Sequence, residues 1–378
     1  MDKINDVFKK KTKEITFIEL KEGTKLNVNG YILEGGLPLP IITDNLLRDL
    51  QYSEISEEIK LGHVIEGIIF LLGTDPTFPY MDKYKKILLS YDPKISDYIF
   101  YKGMKELEDG KLENSGVFFR ANIELDHNDI KSILNYGVVL EAIGKNLIEE
   151  GNVDEGEKFL IRSTNEFESI LDIDDKYSLA YYKLGYHYKY FSQYLKALIT
   201  WNKFLVLDKD EHRLQEIREQ IDIIEDDSKI EAGLSYLAYN EFGKALEAFL
   251  KLLPKHKDNW NVNYLIGLSY KGLEEYDLAI DYLNIAIELN KEESDIYNEL
   301  GIIYFIQGKV LEAISVFNEG ISEAKEDYKL LFNRGLGYVQ LGQYNSAIID
   351  ISKASELNPY DENIAIQKEE IENLLKSI

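Results

Sequence analysis

Residues 297–317 read YNELGIIYFIQGKVLEAISVF, and the spacing inside this stretch decides the fold. Tyr297, Leu300, Gly301 and Tyr304 stand on one side of Gly308, and Ala313 and Phe317 stand on the other. Apolar residues at three- and four-residue steps on both sides of a glycine read as two helices joined by a turn. The same pattern returns along the chain. Gly233, Gly267, Gly301 and Gly335 follow one another at 34-residue steps. Three residues after each comes Tyr236, Tyr270, Tyr304 or Tyr338, and twelve after each comes Ala245, Ala279, Ala313 or Ala347. Nine after each stands Phe242, Tyr276, Val310 or Tyr344. Four columns that hold register through four units are not chance.

The unit resembles the tetratricopeptide repeat, a helix–turn–helix module of about 34 residues. A second good copy is Tyr181-x2-Leu184-Gly185-x2-Tyr188 followed by Ala197-x3-Trp201. The resemblance runs from about residue 96 to 378, and units start near 96, 130, 178, 226, 260, 294 and 328. It implies an all-α solenoid, a right-handed superhelix of helix hairpins A and B. Within that frame the glycine and alanine columns lie where helix A meets helix B, and a larger side chain there would overpack by roughly 1–3 kcal/mol. The glycine-rich run 334–348, RGLGYVQLGQYNSAI, is therefore helix packing rather than a phosphate loop: Gly335 and Ala347 are contacts and Gly342 is the turn. Gly337 has no column of its own, since the matching positions hold Ser235, Ser269 and Ile303.

Departures from the register are informative. Gly137, Gly185 and Gly233 are 48 apart, which is 14 more than the repeat. In the unit at 130 the surplus lengthens both helices by seven residues, about two turns each, which preserves their facing surfaces. Between Gly185 and Gly233 the surplus is residues 212–225, HRLQEIREQIDIIE, an amphipathic segment that reads as a helix capping a first sub-array. This divides the chain into a non-repeat segment 1–56, a degenerate helical hairpin 57–93 (57–72 with 80–91), a first sub-array 94–225, and a second sub-array 226–378 of four regular repeats closed by a capping helix 362–378. The acidic run 225–229 would be the junction, with a single continuous superhelix as the alternative. In the first segment, alternating residues around Gly23 and Asn29-Gly30 read as a β-hairpin, residues 35–40 as a turn or extended linker, and TDNLLRDL as a helix.

Net charge is −25 over 378 residues, of which residues 1–93 carry −3 and the rest −22. An acidic surface repels nucleic acid and anionic membranes and attracts basic partners. The chain has no cysteine, which excludes disulfides and thiolate chemistry. No run approaches the roughly 18 apolar residues of a membrane span, and the polar, lysine-rich start lacks the apolar core of a secretory signal. A cytoplasmic, bacterial protein is the expectation.

Catalytic and metal motifs are not seen. His63, His127, His187, His212 and His256 are scattered without metal-ligand spacing. His187, between Tyr186 and Tyr188, reads as a partly exposed helical residue. Acidic clusters at 172–175 and 207–211 lack the geometry of a calcium loop and suit helix capping. No cofactor, metal or catalytic residue is expected. The resemblance implies instead an inner groove lined by helix A. Its positions are Tyr182, Lys183, Tyr186, Lys189 and Tyr190 in the unit at 178, and Asn261, Tyr264, Leu268 and Lys271 in the unit at 260. The unit at 294 adds Asn298, Glu299, Ile302 and Phe305, and the last adds Lys329, Phe332, Asn333 and Leu336. Aromatic walls bury apolar ligand groups and an asparagine amide can pair with a peptide backbone, though about half of these residues should pack as core. The arrangement of Lys, Asn and Arg with which some relatives clamp a C-terminal carboxylate is missing. The reading is a non-enzymatic scaffold for a protein or peptide, basic or apolar. The alternatives are a peptide-sensing regulator resembling bacterial repeat receptors of signalling peptides, and an enzyme with a spatially assembled site.

Overall fold

A computed structural model describes residues 3–21, 23, 25–52, 60–324 and 327–377. Residues 57–59 of the expected first hairpin, and Ile378, lie outside these. The chain divides into two compact units, Met1–Ser192 with Ile199–Glu219 and Gln193–Leu198 with Gln220–Ile378.

The first unit opens with helix α1 (Lys3–Lys10), a 3-10 turn and four short strands: β1 (Ile15–Ile18), β2 (Lys25–Val28), β3 (Tyr31–Glu34) and β4 (Leu39–Ile42). The hairpin forms about Asn29-Gly30, where φ is 48° and 97°, so β2 pairs antiparallel with β3. Positive φ at both central residues is what a tight two-residue hairpin needs. β1 pairs with β4 rather than across Gly23, so the stretch expected as a linker contributes a strand. Helix α2 (Thr43–Tyr52) follows, then α3 (Leu61–Thr74) and α4 (Met81–Tyr91). α3 is apolar nearly all round and is covered accordingly, mainly by β4 and by α6 (Leu112–Leu125) rather than by α4. Gly67 and Gly73 allow this: a Cβ on either would meet the carbonyl of Pro40 or of Val117. The lysine-rich start carries a structural anchor, since Phe8 is fully buried and lies against Gly116 and Tyr136.

Regular hairpins continue from there. α5 (Ile95–Glu108) pairs with α6, α7 (Ile130–Glu149) with α8 (Val153–Ile173), and α9 (Ser178–Tyr190) precedes α10 (Tyr194–Leu207). α7 and α8 have 20 and 21 residues, seven more than the 13 and 14 of α9 and α10. At the extended crossing Gly144 and Gly156 lie backbone to backbone, where either Cβ would strike the other's carbonyl oxygen. The capping helix expected at 212–225 does not end there. α11 (Glu211–Ala238) is one 28-residue helix that passes through 225–229 without a break. The acids in that run do not end the helix because lysine and histidine meet them: Lys229 bridges Glu225 and Asp226, and His256 Nε2 lies 3.0 Å from Asp226.

The second unit continues with α12 (Phe242–Leu250) and the short α13 (Leu253–His256), which carries Pro254 in its first turn. The pairs α14 (Trp260–Gly272) with α15 (Tyr276–Leu289), α16 (Ser294–Ile306) with α17 (Val310–Glu323), and α18 (Tyr328–Gln340) with α19 (Tyr344–Leu357) complete the regular repeats. α20 (Glu362–Ser377) lays Ile364 and Ile371 against Leu331, Ile351 and Ala354.

The glycine column explains the close approach of A and B. A Cβ on Gly185, Gly233, Gly301 or Gly335 would fall inside the side chain of Trp201, Phe249, Phe317 or Ile351, each sixteen residues on and fully buried. Gly337, which had no column, has its own contact: a Cβ there would lie 2.8 Å from Ile314. Each A–B turn holds one left-handed residue, Gly110, Gly151, Ser192, Asn240, Glu274, Gly308 or Gly342. The bond Lys309 N–H to Tyr304 C=O, repeated as Glu275 to Tyr270 and Gln343 to Tyr338, ends helix A in the six-to-one pattern that such a residue permits.

Candidate functional site

The helix A positions named from the sequence divide by unit. In the first unit, α9 places Tyr182, Lys183 and Tyr186 where other parts of that unit take up their polar atoms. Tyr182 Oη donates to both carboxylate oxygens of Glu216, at 2.9 and 3.1 Å, and Tyr186 donates to the same carboxylate. The rings meet edge to face at 5.3 Å, and Tyr186 stands over Trp201 at 5.1 Å. Burial, and then the Glu216 carboxylate, push the Tyr186 phenol far above its ordinary range. Lys183 Nζ reaches Glu141 on α7 at 2.9 Å. Lys189 is half-buried, while Tyr190 is exposed at the end of α9 with its ring against Phe191. The tyrosine pair is thus an internal carboxylate cradle.

Beneath it lies a buried polar cluster. His187, expected to be partly exposed, is only 4% exposed, because its ring is packed edge-on against Phe167 at 5.3 Å. The Thr164 hydroxyl gives its proton to the Leu160 carbonyl at 2.8 Å, so it accepts from His187 Nδ1, also at 2.8 Å. His187 Nδ1 therefore carries a proton, and Nε2, which makes no hydrogen bond, lies 3.8 Å from Glu141 Oε2. Burial acts to raise the Glu141 pKa, but the neighbouring His187, Lys183 and Lys145 outweigh it and hold the carboxyl well below its usual range.

In the second unit, α14 adjoins α16 and α16 adjoins α18. Tyr264 and Leu268 border one core cluster, Phe305 the next, and Phe332 and Leu336 the last, all partly buried. Ile302 and Asn261 are half-buried as well. Polar positions pair from helix to helix. Lys271 bonds to Glu299, and Lys329 Nζ reaches Asp295 at 2.8 Å. Asn333 donates through Nδ2 to Asn298 Oδ1 at 2.7 Å, and Asn298 is itself buried. Burial, then the charges of Glu299, Asp295 and Glu293, raise the Tyr264 phenol above its ordinary range. Among the described residues, no three His, Asp or Glu side chains converge as metal ligands would.

Asp295 and Glu216 were not named as face positions, yet each carries a cross-helix bond. The register contained them: Tyr182 and Glu216 are 34 apart, as are Asp295 and Lys329. In these two cases an A-helix residue meets its counterpart one repeat on.

Residues 264–328 and 328–361 match two family descriptions, each named "Tetratricopeptide repeat". The chain carries tetratricopeptide repeats. Of its relatives, BBSome complex member BBS4 of Bos taurus is 28% identical over 115 residues, 30% of this chain and 22% of that protein. The anaphase-promoting complex subunit CDC16 of Saccharomyces cerevisiae is 29% identical over 98 residues, 24% of this chain and 12% of that one. The chain therefore spans less than a quarter of the length of either. A solved tetratricopeptide repeat protein from Parabacteroides merdae is similar at 16% identity, covering 73% of this chain and 98% of that one, with a TM-score of 0.35. Among the described residues, no helix is long and apolar enough to cross a membrane.

Proposed function

We propose that this repeat protein is a non-enzymatic interaction scaffold that holds a peptide or a partner's helix on the A-helix face of its second unit. The observation that carries the reading is the gathering of Tyr264, Leu268, Phe305, Phe332 and Leu336 at partial burial along three adjacent A helices. Apolar side chains that the fold leaves half covered are what a ligand's apolar groups bury against. The corresponding face of α9 is a poorer candidate, since Glu216 already occupies its tyrosines. Charged groups at the second unit's positions pair with one another, Lys271 with Glu299 and Lys329 with Asp295, which supports a binding rather than a catalytic role. Two relatives bear names that make them members of complexes, which agrees with a scaffold.

The test uses the full chain and its Phe332→Ala and Asn333→Ala variants as baits in extracts of the native host. Partners should be retained by the wild type and lost from both variants, with unchanged helical circular dichroism. Equal recovery of every partner by all three proteins would refute the face.

A further inference from the structure

The second unit's A-helix face is electrically closed. Its four charged residues form two pairs, Lys271 with Glu299 and Lys329 with Asp295, each joining neighbouring helices. Two of its three amides, Asn298 and Asn333, bond to each other, and Asn261 is the third. Neither lysine remains to hold a ligand carboxylate, because breaking either pair would strand an acid on a partly buried surface. Apolar side chains stand open on this unit's helices. Ile306, at the end of α16, is 55% exposed, and Leu234 on α11 is 46% exposed.

The border of this face has a different character. Acids stand at the helix starts: Asp258 precedes α14, Glu293 precedes α16, Asp327 precedes α18, and Asp361 and Glu362 stand at the start of the capping helix α20, while Asp295 is already paired with Lys329. Two are fixed there by capping: Asp327 accepts from the Lys329 N–H at 2.7 Å and Asp361 from the Asn363 N–H at 3.0 Å. Capping alone does not require the charge, since asparagine caps about as well and Asn259 caps α14; the acids give this edge its negative character. It belongs to a chain whose net charge is −25.

We propose that the partner segment carries apolar anchor side chains flanked by lysine or arginine, the anchors lying on the neutral face and the basic flank against the acidic starts of the A helices. This deepens the scaffold reading and rests on it. Anchors supply the residence time, since they are desolvated, and the flank supplies steering and discrimination against acidic competitors. A free C-terminal carboxylate is not part of the recognition.

Random short peptides displayed on phage, selected on the full chain and counter-selected on Phe332→Ala, provide the test. Ile306→Gln serves as a second counter-selection target, because an exposed position tolerates the change without harm to the fold. Selected peptides should combine at least two large apolar residues with adjacent Lys or Arg. A synthetic copy with its basic flank changed to Glu should bind about tenfold more weakly at about 50 mM salt, and the gap should narrow at about 0.5 M, where charges are screened beyond roughly 4 Å. Selected peptides that are acidic, or basic without apolar anchors, overturn this inference and leave the scaffold reading standing. If no peptide distinguishes the wild type from the two variants, both fall.

Discussion

Gly301→Ala is the sharpest test of the packing. The added Cβ would lie 2.2 Å from Cε1 and 2.5 Å from Cζ of Phe317. Carbon contacts settle at about 3.5–4.0 Å, so ring and methyl would have to part by about 1.5 Å. Phe317 cannot yield easily, being fully buried between α16 and α17. Two terms compete. Alanine in a helix interior gains about 1 kcal/mol over glycine, and overpacking costs about 1–3 kcal/mol, here at the high end because a ring is struck. The net loss should be about 1–2 kcal/mol. Gly243→Ala is the control, since nothing lies within 4 Å of its Cβ, and it should be neutral or stabilising by a few tenths up to about 1 kcal/mol. Gly301→Ala combined with Phe317→Leu should recover part of the loss, as the equivalent pair in the preceding repeat is Gly267 with Leu283. Repeat arrays unfold in parts, so the assay is amide exchange in α16 and α17 beside urea unfolding. A Gly301→Ala protein as stable as the Gly243→Ala protein would refute the view that the glycine column is set by the ring opposite.

Asp350→Ala should cost about 3 kcal/mol, because Arg334 reaches Asp350 through Nε at 2.7 Å and Nη2 at 2.6 Å in a largely buried pair, and loss of one partner strands the other; amide exchange in α18 and α19 reads it. Glu141→Gln should cost about 2 kcal/mol near neutral pH. The folded Glu141 pKa lies below its unfolded value, so its contribution is complete above about pH 5 and is lost as the pH falls toward the folded value. Wild type and Glu141→Gln should therefore converge in acid unfolding, and a gap that widens on acidification would contradict the assignment. Glu274→Gly should stabilise by about 1 kcal/mol, since Glu274 holds φ at 64° in an exposed turn where the neighbouring repeats use Gly308 and Gly342; a fall in unfolding midpoint would count against strain at that turn.

The regular hairpins were legible because small and aromatic residues recur at fixed steps, and each column answers to one contact, as with Gly301 and Phe317. The lengthened α7 and α8 were legible for the same reason. The continuity of α11 was not. Its acidic run has a turn-like composition, and the cations that keep it helical include His256, some 30 residues away. Among the early strands the hairpin of β2 with β3 about Asn29-Gly30 was legible, but the pairing of β1 with β4 was not, because they meet through contacts that no local pattern announces. Among the face residues, apolar and aromatic character was legible. The mutual pairing of Lys271 with Glu299 and of Asn298 with Asn333 was not, since it depends on distances between separate repeats.

The lengthened hairpin has a consequence for how such a chain changes size. An α-helix turns by about 100° per residue, so seven added residues return a side chain to within about 20° of its former direction. α7 and α8 each carry seven extra residues, and the 14 that prolong α11 are twice that number. Insertions of other lengths would swing the glycine and its ring away from each other. The chain can therefore grow in two independent ways, by whole units along the stack and by heptads along the helix axis. Both kinds of growth keep the same contacts, and an engineer adding surface to this fold should count in sevens.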